Sequence, residues 1–165
     1  MARIDPDQPL LQSVLDRLLD ANPERTHDDP RQRGQYVQEL RRAVRRDLEA
    51  LLNTRQRCIS PPADLTELET SLLTYGIPDF SGLDLSSEEH RETFRATIEE
   101  VIKRFEPRFQ RVSVILLDNV EPLDRTLRLR IDALMYAQPA PEAIVLDSYL
   151  DPVTHSFAMT TKPNV

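Results

Sequence analysis

Apolar residues recur at helical spacing through the first two thirds of the chain and switch to alternation in the last third. Leu10, Leu11, Val14, Leu15, Leu18 and Leu19 share one stripe and predict a short amphipathic helix over 10–19, ending before Asn22-Pro23. Val37, Leu40, Val44, Leu48, Leu51 and Leu52 predict the longest helix, from Gln35 to Thr54, with Arg41, Arg42, Arg45, Arg46, Asp47 and Glu49 on its other faces. Asp64 stands as the N-cap of a short helix through Glu67, Leu68, Leu72 and Leu73, which Gly76 can end in the left-handed conformation. Ser86 and Glu89 have capping-box spacing at the head of a further helix, whose buried stripe is Phe94, Ile98, Val101, Ile102 and Phe105.

Pro107 stops that helix, because it has no N–H to donate and pushes the residue before it out of the helical region. Glu106 is then expected to project from an extended joint. Beyond it, Val112, Val114 and Leu116 alternate with Arg111, Ser113 and Ile115. Leu127, Leu129, Ile131 and Ala133 alternate with Arg128, Arg130 and Asp132. Ala143 to Leu150 and Ser156 to Thr160 predict two more strands, with turns at Asn119–Asp124 and at Asp151-Pro152-Val153-Thr154. Consecutive strands with short links imply an antiparallel meander covered on one face by helices: an α+β fold, N-terminal helices packed on a small C-terminal antiparallel sheet. The short last strand is expected to leave a sheet edge open to strand addition by another chain.

The organisation that follows has three parts. Residues 1–34 form an N-terminal segment holding the short amphipathic helix and a proline-punctuated, mobile linker. Residues 35–160 form a single α+β domain, and 161–165 form a polar tail. Ile77, Phe80 and Leu83 read as anchors pinning a loop onto the core, and Tyr75 and Phe80 read as packing residues.

Composition narrows the function classes. A formal net charge of −7 repels phosphates and argues against nucleic acid and anionic membrane as partners. The single cysteine, Cys58, excludes an intrachain disulfide and suits a reducing cytoplasm. Neither a signal peptide nor a long uninterrupted apolar run is visible, so a cytoplasmic protein is expected.

Candidate chemistry is sparse. His27, His90 and His155 have no ligand spacing and read as surface residues, so no metal or cofactor is expected. Glycosidases need two carboxylates, and Glu99, Glu100 and Glu106 are the acids on offer, but adjacent Glu99 and Glu100 point to different sides of their helix. The Arg41 to Arg46 face reads either as a solvated helix surface or as a docking surface for an acidic partner. Glu106 and Arg108, held apart by a rigid proline, read either as incidental charges on a helix terminator or as a preset charged clasp.

Three blocks in order, Val44-Arg45-Arg46-Asp47-Leu48-Glu49-Ala50-Leu51-Leu52-Asn53-Thr54-Arg55, Tyr75-Gly76-Ile77-Pro78-Asp79 and Glu106-Pro107-Arg108, resemble the TssE family of type VI secretion baseplate subunits. That family is related to the phage-tail baseplate wedge protein often called lysozyme-like. The stripe from Leu10 to Leu19 is similar to the family's leucine-rich opening helix. Two positions depart from the pattern: Ala50 stands where a larger aromatic residue is expected, and His155 where a glycine is expected. The resemblance implies a noncatalytic wedge subunit without cofactor, bound through Glu106, Pro107, Arg108, Arg45, Arg46 and Asp47. Implied partners are the baseplate subunits TssF and TssG and the sheath subunits TssB and TssC, with TssK and the VgrG spike as further neighbours. A peptidoglycan hydrolase and a generic cytoplasmic adaptor are the alternative readings.

Overall fold

The computed structural model describes residues 33–58, 62, 64–80, 82, 87–118, 126–137, 140–151 and 154–161, together with Leu18 and Glu24. Helix α1 (Arg33–Asn53) is followed by a 3-10 turn (Thr66–Thr70) and helix α2 (Glu88–Phe105). Strands β1 (Phe109–Leu117), β2 (Leu127–Met135), β3 (Glu142–Leu150) and β4 (Phe157–Thr161) complete the order. The strands pair antiparallel in sequence order, β1-β2-β3-β4, which is the meander that the alternating pattern predicts. The class is α+β.

Period two in the sequence becomes two faces in the sheet. Val112, Val114, Leu129, Ile131, Met135, Ile144, Leu146, Leu150, Phe157 and Met159 are buried on one face. There they meet Leu40, Val44, Leu48 and Leu52 from α1 and Phe94, Ile98 and Ile102 from α2 in one continuous core. Helix α2 packs beside β1, and α1 beside β4. The opposite face carries Arg128, the Arg130–Asp147 ion pair (3.0 Å) and half-exposed Ile115 and Tyr149. A depression of about 480 Å³ lies there, lined among others by Leu117, Arg128, Arg130 and Tyr149.

Two local expectations are corrected. The segment after Asp64 is not an α-helix capped by Asp64. It makes only the 3-10 turn Thr66–Thr70, with Leu65 at its N-cap and no side-chain cap, and none of its residues is buried. Hydroxyls explain this: Ser71 Oγ donates to Leu68 O at 2.8 Å, and Thr74 Oγ1 lies 2.8 Å from Glu69 O, so side chains compete for carbonyls that a helix would use. Helix α2 has Ser87 at its N-cap, without a side-chain cap bond; Ser86, on which the expected capping box rests, lies outside the described residues.

Gly76 adopts a positive φ of 105°, as expected, but its role is different. It lets the loop approach the end of α1, where Arg55 and Ile77 form a parallel bridge. A Cβ at residue 76 would sit 2.4 Å from Thr54 O.

Helix α1 begins at Arg33, two residues before the predicted start, and β4 extends to Thr161. The 10–19 helix as a whole, most of the 21–34 linker, the Asn119–Asp124 turn, Ser86, Leu83, His27 and the tail beyond Thr161 lie outside the described residues.

Candidate functional site

The joint between α2 and β1 folds inward. Glu106 N donates to Ile102 O (2.9 Å) and closes the helix, and Phe109 N donates to Glu106 O (3.2 Å), making a tight turn around exposed Pro107. Glu106 therefore does not project from an extended joint: it is 6% exposed. Arg108 reaches back over the proline and grips it with two prongs, Nε to Oε1 and Nη2 to Oε2, both 2.6 Å. Nη2 also donates to Asp47 Oδ2 on α1 at 2.7 Å. Asp47 Oδ1 in turn accepts from Arg46 Nε and Nη2, at 2.9 and 2.8 Å.

A planar guanidinium matches a carboxylate in this forked geometry, and ionised partners strengthen each bond. Burial works against the Arg108 charge, but the Glu106 bonds and charge, followed by those of Asp47, outweigh it and hold the guanidinium well above its ordinary pKa. Tyr75, edge-on to Phe105 at 5.3 Å, has its phenol pushed up, first by burial and then by the negative charges of Asp47 and Glu106. Arg108 Nη1 is buried with no hydrogen-bond partner among the described residues. A register shift between Phe109 and Arg111 sits beside this joint, and Tyr136 N donates to Arg108 O at 2.8 Å.

Helix side chains take up backbone groups on both edges of the sheet. On β1, Val114 N donates to Glu99 Oε2 (3.1 Å), and Arg95 Nη1 donates to Val114 O (3.1 Å) and to Glu99 Oε2 (2.8 Å). The two residues of α2 together imitate a neighbouring strand. On β4, the Asn53 amide does the same for Phe157, accepting from its N (2.8 Å) and donating to its O (2.9 Å), while Glu49 Oε1 accepts from Met159 N at 3.2 Å. The expectation of an open last strand is thus overturned at Phe157, whose N–H and carbonyl are both occupied from α1, and at the N–H of Met159.

Residues 38–140 match the family described as baseplate wedge protein gp25, which is well over half of the chain. The chain belongs to the gp25 baseplate wedge family. No curated protein and no solved structure matches it. Membership gives this gp25-family chain a structural role in a phage-tail-like baseplate, in association with other baseplate components. No helix among its described residues is long and apolar enough to cross a membrane.

All six site residues read from the sequence lie inside the stretch matched to gp25. The structure joins four of them, Arg46, Asp47, Glu106 and Arg108, into the ion-pair chain above. Arg45 and Pro107 stay outside it and are exposed. Of the acids weighed for glycoside cleavage, Glu106 is held by Arg108, Glu99 by Arg95 and Lys103, and Glu100 by Arg104.

Ala50 is exposed on α1, so the aromatic expected there would face outward and its loss changes a surface contact rather than the core. His155 has a φ of 52°, the left-handed region where glycine is easiest. It is also not a plain surface residue: its ring lies 5.7 Å from that of Phe80, and its carbonyl accepts from Arg55 Nη2.

Sequence reasoning missed the edge-closing residues Arg95, Glu99, Glu49 and Asn53, and also Tyr136. The i, i+4 spacing of Arg95, Glu99 and Lys103 is visible in the chain. Their backbone target on β1 is not. Arg55, at the end of α1, donates to Leu52 O (3.2 Å) and stacks 4.3 Å over Phe80.

Proposed function

We infer that this gp25-family chain is a noncatalytic subunit of a type VI secretion baseplate wedge, placed on the cytoplasmic side of the envelope. In this reading it binds TssF and TssG and helps start the sheath built from TssB and TssC, with TssK and VgrG in the same assembly. The observation that carries it is the position of the ion-pair chain: the matched stretch encloses both Asp47 on α1 and Glu106-Pro107-Arg108 at the α2–β1 joint. Every carboxylate oxygen of Glu106 and Asp47 is engaged within the chain. The clasp therefore works by locking two helices and a strand into one rigid surface. Partners meet that surface through exposed Arg45, Pro107 and the edge of the Arg46–Arg108 group. A sheath strand that pairs with β4 has first to displace Asn53 and Glu49.

Co-expression with TssF and TssG tests the reading. Arg45→Glu alters only an exposed charge and should cut recovery of the complex about tenfold without moving the melting temperature. Full recovery with both Arg45→Glu and Arg108→Lys sinks the docking assignment. Release of cell-wall fragments by the purified chain, abolished by Glu106→Gln, would overturn the noncatalytic reading.

A further inference from the structure

The chain's excess charge is concentrated in one stretch. Between Cys58 and Glu89 there is no Lys or Arg, but Asp64, Glu67, Glu69, Asp79, Asp84, Glu88 and Glu89 lie there. Of the 28 Asp and Glu, these seven leave 21 elsewhere, equal to the number of Lys and Arg, so the net charge of −7 is the charge of this stretch.

The same stretch displays apolar side chains to solvent. Leu72 is 88% exposed, Leu65 49% and Leu73 42%. Their backbone is tightly tied. Leu68 N donates to Leu65 O (3.0 Å), Ser71 N to Leu68 O (3.2 Å) and Thr74 N to Ser71 O (3.2 Å). The hydroxyl of Thr74, a residue only 4% exposed, lies within 3.2 Å of the carbonyls of Leu68, Glu69 and Ser71. Ser71 Oγ accepts from Leu73 N at 3.2 Å. Downstream, Ile77 N donates to Thr54 O (3.0 Å) and Gln56 N to Ile77 O (2.8 Å), which clamps the stretch to the end of α1. Leucines held out by a pre-ordered loop lose little conformational freedom when they are covered.

Asp64, Glu67 and Glu69 are exposed and have no ion-pair partner among the described residues. Exposed leucines on a tied loop that also carries these carboxylates repel anionic lipid and nucleic acid and attract a basic surface. The loop's own turns use the backbone groups around the leucines, so recognition falls to side chains. That favours a helix, which satisfies its own backbone, over a strand.

We propose that Leu65, Leu72 and Leu73, rimmed by Asp64, Glu67 and Glu69, are a docking surface for an amphipathic helix of another protein whose apolar stripe is flanked by Lys or Arg. The surface shares no residue with the Asp47–Glu106–Arg108 chain and does not depend on which tail-like machine the protein serves.

Two labelled peptides of about 18 residues, long enough for helix formation, provide the probe. They carry the same leucine stripe, flanked in one by Lys and in the other by Glu, and are titrated against the full chain by fluorescence anisotropy. The Lys-flanked peptide should bind at least about tenfold more tightly, and its affinity should fall as salt rises from about 0.05 to 0.5 M. Leu65→Asp with Leu72→Asp should remove that binding, and Glu67→Lys with Glu69→Lys should reverse the preference between peptides. Melting temperatures should stay unchanged throughout, because the altered side chains are exposed. Equal affinity for both peptides, or indifference to the leucine substitutions, overturns the proposal. So does a sedimenting dimer that Leu72→Asp dissolves, which would make a second copy the occupant.

Discussion

Arg108 Nη2 donates to Asp47 Oδ2 at 2.7 Å across 61 positions of sequence, while the same guanidinium grips Glu106 two residues away. One side chain thus ties helix α1 to the α2–β1 joint. The energetics of such a group are asymmetric. Breaking a buried pair costs far more than replacing it whole, because the survivor is left charged in a poorly solvated place.

Glu106→Ala should therefore lower unfolding free energy by about 2–4 kcal/mol. Adding Arg108→Met should recover part of that loss, since the guanidinium that has lost its forked partner is gone and its stem volume is kept, while Asp47 loses only the single bond from Nη2. A double-mutant cycle in urea measures the coupling, and strictly additive losses would show that the two residues do not act as a pair.

Glu99 gives the fold an acid-sensitive contact. The Lys103 hydrogen bond, opposed by burial and joined by the bond from Val114 N and by Arg95, holds its carboxyl below the ordinary range. A pKa lower in the folded state contributes stability above the unfolded value of about 4.3, and that contribution is lost as pH falls through the folded value. Glu99→Gln should cost about 1 kcal/mol at pH 7, and the gap to the parent should close below about pH 4. A gap that persists unchanged in acid would assign the loss to packing.

Closure of the β4 edge can be read one amide at a time. Asn53→Ala removes both side-chain bonds to Phe157 and should cost about 1–2 kcal/mol. It should also speed hydrogen exchange at the Phe157 amide while leaving the Val114 amide of β1 protected. Equal exchange at Phe157 in parent and variant would mean that the Asn53 plug is not closed in solution.

Gly76 and Gly82 should respond oppositely to alanine. At Gly76 the new methyl meets Thr54 O at 2.4 Å in a φ of 105°, so Gly76→Ala should cost more than about 2 kcal/mol. At Gly82 the methyl meets nothing within 4 Å, and Gly82→Ala should be neutral or stabilise by about 0.5 kcal/mol through the unfolded chain. Paired thermal melts check both.

Elements with a strong period were legible. The α1 stripe Leu40, Val44, Leu48, Leu52, the α2 stripe Phe94, Ile98, Ile102 and the alternation of β2 all lie buried where the pattern places them. The weakly patterned stretch after Asp64 was not legible, because Ser71 and Thr74 hydroxyls decide its backbone and no local period records their targets. The site was legible in its residues but not in its arrangement. Arg46, Asp47, Glu106 and Arg108 were singled out as partner-binding charges, with Glu106 projecting, yet Glu106 is buried and the others are mostly spent on one another.

By itself the sequence determined where α1, α2 and the four strands run, which faces they bury, and the meander, and it carries the match to the gp25 family over 38–140. These depend on residue spacing and near neighbours. Tertiary structure alone decided that the charged joint closes inward on Asp47, that helix side chains bond to backbone on both sheet edges, and that the leucines near Thr74 stay exposed. Each of these is a meeting of groups far apart in the chain or a competition for one carbonyl. Such outcomes are set by distance and desolvation in the packed fold, and no period along the chain encodes them.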